Sequence, residues 1–142
     1  MKLSRITYVV GLALLASANV WAQSGNYKII VNSANTEESI SKSSLARIFL
    51  KKDTRFLDGH GASPVDLTLN SPVREIFSRN VFGKSTSDVD ALWQEQIFSG
   101  KDIPPPQKNE KAAIEYVRSN ANGIAYVSAD ADTKGLKVLR VQ

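Results

Sequence analysis

The stretch VDLTLNSPVREIFSRNVF, Val65–Phe82, reads as a short strand, a tight turn and an amphipathic helix. Ser71 suits an N-cap, and Pro72 suits the first helical position, where its missing N–H costs nothing. Val73, Ile76, Phe77 and Val81 follow at helical spacing, which commits one face to a core. A strand that delivers a helix N-terminus to a surface makes a candidate anion site.

The flanking sequence repeats this alternation. Tyr27–Val31 is a strand candidate, β-branched and without a breaker. Ser41 caps an expected helix with Leu45, Ile48 and Phe49 on one face. Arg55-Phe56-Leu57 is a short strand candidate ended by Asp58-Gly59, and Val65–Leu69 is the next. The Ser71 helix ends near Gly83. A third helix starts near Ser85 or Ser87, carries Val89, Leu92, Trp93 and Ile97, and closes at Gly100. Trp93, Phe98 and Phe77 are expected in the core. Pro104-Pro105-Pro106 reads as a stiff extended connector. Asn109 caps a fourth helix with Ala113, Ile114 and Val117 inward, ending at Asn122-Gly123. Ile124–Val127 and Leu136–Val141 are the last strands. Strands alternating with helices predict an α/β layer fold, a mixed sheet flanked by helices.

Residues 1–22 carry an export pattern: Lys2 and Arg5, an uncharged apolar run Ile6–Ala18, then Val20-Trp21-Ala22 before Gln23. The run is shorter than the roughly 20 residues of a membrane span, so no span is expected after cleavage. The expected organisation is a signal peptide over 1–22 and one domain over 23–142. There is no cysteine, so packing alone must hold an exported domain together, which suits a periplasm. Loss of Lys2 and Arg5 takes the net charge from +4 to +2. Lys51-Lys52 and Arg55 are the local basic cluster. They lack interleaved aromatics, which argues against nucleic-acid binding.

Three segments carry a resemblance. ISKSSLARIFLKKDTRFLDG, PVDLTLNSPVREIF and AAIEYVRSNANGIAYVS, in this order and spacing, resemble segments of phosphate-type ABC-transporter substrate-binding proteins over roughly residues 27–128. The resemblance implies a small periplasmic binding protein-like domain, close to one lobe of the two-lobed type. It also implies recognition of phosphate or another oxyanion. Such proteins place an Arg, an Asp and a Gly-Ser-Gly-Thr turn at the anion site. Here Leu67 stands in the Arg position and Leu69 in the Asp position, and only Ser71 remains of the turn.

Asn70, Ser71 and Arg74 are accordingly the candidate ligand-binding residues, with Ser71 offering a hydroxyl and Arg74 a charge-assisted donor. The plainer alternative has Ser71 capping its own helix and Arg74 as a solvated surface cation. Glu75 and Arg79 are spaced for an i,i+4 pair. His60, the one histidine, lies near Asp58 in a glycine-flanked turn with no nucleophile elbow, so no catalysis is expected there. One His, no Cys and scattered carboxylates predict no metal site and no cofactor. Two functions follow: a non-enzymatic oxyanion-binding domain, or a module docking a periplasmic or membrane protein after loss of ligand binding.

Overall fold

A computed structural model describes residues 26–142. The segment read as an export signal lies outside them. Over the described residues the fold is a five-stranded mixed sheet with four α-helices and a separate pair of short strands.

Strand β1, Tyr27–Val31, is central, and its YKIIV sequence fits, since Ile29, Ile30 and Val31 are all fully buried. It pairs antiparallel with β6, Gly123–Ser128, and with β7, Lys137–Val141; Ile29 lies opposite both Tyr126 and Leu139. At the edges, β2 (Ser39–Ile40) runs parallel to β7, and β3 (Ser63–Pro64) runs parallel to β6. A central strand covered on both faces carries an apolar run rather than alternation.

The two faces of the sheet differ in side-chain size. On one, Tyr27 and Tyr126 meet Phe77 and Phe49; the Phe77 and Tyr126 rings stack at 3.8 Å. These aromatics bring down α1 (Lys42–Phe49) and α2 (Pro72–Phe77). On the other face, Gly123 and Ala125 let α4, Glu110–Ser119, approach closely. A Cβ on Gly123 would stand 3.0 Å from the Val117 Cα.

The expected caps form at Ser41 and Asn109, whose side chains accept from the Ser44 and Ala112 N–H groups. Ser85 caps α3, Thr86–Phe98, in the same way. Gly83 and Gly100 close their helices with φ of 66° and 67°. The Ser71 helix is not α-helical throughout: Ser78–Phe82 forms a π-helical turn.

Several sequence expectations are corrected. Val65–Leu69 is not one strand, because the chain changes partner within it. The Val65 N–H donates to the Ile124 carbonyl, while the Asp66 N–H turns to that of Pro106. Strand β4, Asp66–Leu67, therefore pairs parallel with β5, Gln107–Lys108, directly after the proline run. Arg55-Phe56-Leu57 makes only an isolated bridge, Arg55 to Gly61. Phe98 is not core: it is 98% exposed. The inward face of α3 is set by Val89 and Trp93, and Phe98 falls about 140° around the helix from Trp93.

Candidate functional site

The turn between β4 and α2 carries the candidate residues. The Ser71 N–H donates to the Thr68 carbonyl at 3.0 Å, and the Arg74 N–H to the Ser71 carbonyl at 3.1 Å. Asn70 is exposed and Ser71 half-buried. The Ser71 backbone has N-cap geometry, yet its hydroxyl makes no capping bond. Across the short ladder the Thr68 N–H donates to the Lys108 carbonyl, which brings a second cation's backbone beside the turn.

Arg74 leaves this surface. It lies on the inner face of α2, one turn before Phe77 and Ser78, and is only 3% exposed, so it is not a solvated surface cation. Its Nη2 donates to Asp90 Oδ1 at 2.7 Å, and its Nε lies 3.4 Å from Asp66 Oδ2. Asp66 also accepts from the Tyr126 hydroxyl and from the Leu67 N–H. The structure thus keeps Asn70 and Ser71 together at the turn and carries the Arg74 guanidinium inward. Arg74 Nη1 is buried without a hydrogen-bond partner. A cavity of about 10 Å³ adjoins Arg74, lined also by Asp66, Ser78, Thr86 and Tyr126.

Burial pushes the Asp66 carboxyl above its ordinary range, against the Tyr126 hydroxyl and the Arg74 charge, which pull it down. Tyr126 is raised strongly by burial and then by the Asp66 charge. Burial works to lower the pKa of Arg74, but Asp90 and Asp66 outweigh it and the net shift is upward. Two carboxyl groups of its own chain, Asp66 and Asp90, thus lie against the Arg74 guanidinium. An arriving anion meets a guanidinium already engaged.

Sequence reasoning missed Asp66, Asp90 and Tyr126 as partners of Arg74. One signal for Asp66 existed, an ionisable residue between two strand-forming apolar ones, Val65 and Leu67. Asp90 left no such signal, because it arrives from the next helix.

Other carboxylates are likewise committed. Glu75 accepts from Arg79 Nε at 2.7 Å, the expected i,i+4 pair, and from the Thr86 N–H and hydroxyl at 3.0 and 2.5 Å. Those two bonds are the main cause of its lowered pKa, and they place a carboxylate on the first turn of α3. Asp58 lies 3.0 Å from His60 Nδ1 and accepts from the Thr36 hydroxyl at 2.5 Å. Among the described residues no group of three or more His, Cys, Asp or Glu is placed to hold a metal ion, and no helix is long and apolar enough to cross a membrane.

No protein-family model and no curated protein matches the sequence. Solved structures do match in fold. One from Clostridium perfringens, described as a phosphate ABC transporter substrate-binding protein with bound phosphate, aligns with a TM-score of 0.63 at 16% identity over 82% of this chain and 44% of its own. An ABC-type phosphate transport receptor from Vibrio cholerae aligns at 0.62 and 15% identity, with coverages of 82% and 46%. PstS from Borrelia burgdorferi gives 0.57 and 14%, with 82% and 47%. The chain spans less than half the length of these structures, and what it shares with them is the fold, in the extent of a single lobe.

Proposed function

We propose that a chain with the fold of phosphate ABC transporter substrate-binding proteins acts here as an exported, non-enzymatic periplasmic domain. It recognises phosphate or a similar oxyanion weakly at the strand-to-helix turn. The observation that carries this is the Ser71 hydroxyl, left uncommitted at an N-cap position in a fold shared with a phosphate-bound structure. Asn70 and Ser71 act as direct donors, and Arg74 as the cation beneath them. Asp66 and Asp90 cancel the Arg74 charge, and Pro72 withholds a backbone donor. Affinity is therefore on the order of millimolar, about −4 kcal/mol.

Backbone-amide NMR during phosphate titration, against chloride at equal ionic strength, tests this. The expected shifts centre on Ser71, Val73 and Arg74 and weaken in Ser71→Ala. Shifts centred elsewhere, or none, overturn the site. Export is tested separately by intact mass, with a mature N-terminus at or within a few residues of Gln23.

A second function, docking of a protein partner after loss of ligand binding, is favoured by Leu69. This leucine is 64% exposed at the same turn, beside an arginine already paired with two aspartates of its own chain.

A further inference from the structure

We propose that the corner at the C-terminal end of α3 is a docking surface for an anionic lipid bilayer. Its apolar tip is Ile97, Phe98 and Ile103, and its basic rim is Lys101 with Lys51 and Lys52.

The tip is exposed and held in shape. Phe98 is 98%, Ile103 65% and Ile97 49% exposed. These side chains stand on a built turn. The Ser99, Gly100 and Lys101 N–H groups donate to the Glu95, Ile97 and Gln96 carbonyls, each at 3.0 Å. The Asp102 carboxylate accepts the Ile103 N–H at 2.8 Å. Lys51 Nζ reaches Asp102 Oδ1 at 3.7 Å, which ties the turn to the end of α1 and brings the Lys51-Lys52 segment beside it.

Charge selects the occupant. Lys51 and Asp102 offset one another, leaving exposed Lys52 and Lys101 against Glu95, which lies one turn back along α3 from the tip. Apolar side chains that protrude beside lysines match the layering of a membrane interface, with acyl chains beneath anionic headgroups. A protruding phenylalanine needs a matching pocket on a protein partner, whereas a bilayer accommodates it without one.

The test is co-sedimentation of the purified protein with phosphatidylcholine vesicles and with equimolar phosphatidylcholine–phosphatidylglycerol vesicles. Partitioning is expected to be stronger on the anionic vesicles and to fall with added salt. The double variant Phe98→Ser, Ile103→Ser should lower it at least about tenfold, the scale of withdrawing a single apolar side chain from an apolar phase. Its melting temperature should not change, because both positions are exposed. Lys52→Glu with Lys101→Glu should remove only the anionic-lipid excess. Absence of partitioning, or partitioning unchanged in the Phe98→Ser, Ile103→Ser protein, overturns the proposal. So does self-association abolished by that variant without vesicle binding, which would make a second copy the occupant. Competition by phosphate beyond that of chloride at equal ionic strength also overturns it, since headgroups would then be captured elsewhere.

Discussion

Replacing Arg74 with methionine keeps much of the side chain's apolar bulk and removes the cation that faces both Asp66 and Asp90. Asp90 can turn toward solvent, since its side chain is 32% exposed, but Asp66, at 15%, has less freedom. Breaking a buried ion pair from one side costs about 3–5 kcal/mol. In a domain of this size that lowers the melting temperature by about 10–20 °C. The pH dependence is the sharper test. Burial already raises the folded-state pKa of Asp66, and loss of the cation raises it further. A carboxyl with a higher pKa folded than unfolded binds more protons in the native state. Its contribution is then fully present below the unfolded value of about 3.9 and is lost as pH rises through the folded one. The deficit of Arg74→Met relative to the parent should therefore be largest at neutral pH and shrink on acidification toward pH 4. Urea unfolding followed by circular dichroism across a pH series measures it. A deficit below about 1 kcal/mol, or one flat with pH, would refute Arg74 as the charge partner that makes Asp66 tolerable.

Trp93→Ala should cost about 3–5 kcal/mol, because Trp93 is 5% exposed and on the inward face of α3; an unchanged melting temperature would contradict that phase. Asp58 is held down to about 2 by the Thr36 hydroxyl and then the His60 N–H. Its contribution is present above about pH 4 and lost as pH falls toward 2, so acid titration of Asp58→Ala should show a shallower loss of stability over that window. Gly123→Ala places a Cβ 3.0 Å from the Val117 Cα and 3.1 Å from the Asn120 carbonyl. Calorimetry should find it about 1–3 kcal/mol less stable.

What the sequence disclosed was local chemistry. The caps Ser41 and Asn109 and the stops Gly83 and Gly100 are short-range devices, and all four are found in place; of the two starts open for α3, Ser85 is the cap. The β-branched run of β1 marked it as a strand, and the apolar run Ile124–Val127 in β6 marked it as buried. What stayed illegible depends on partners distant in the chain. Strands of two residues such as β2 and β5 carry no period and exist only because a neighbour lies alongside. The fate of Arg74 was decided by Asp66 eight positions before it and by Asp90 in the next helix, which helical spacing cannot reveal. Phe98 was misjudged because an aromatic near the end of an apolar stripe looks the same whether or not the helix turns it outward.

The position of β1 has a consequence for the order in which the fold is assembled. The earliest described strand is the centre of the sheet, and its two neighbours, β6 and β7, lie about a hundred residues later. Closing so long a loop must precede any reward from pairing. A chain emerging in sequence order thus carries Ile29, Ile30 and Val31 without their sheet partners until β6 and β7 arrive. The central pairing of the sheet therefore joins distant segments, and it waits until residues 123–141 have been made.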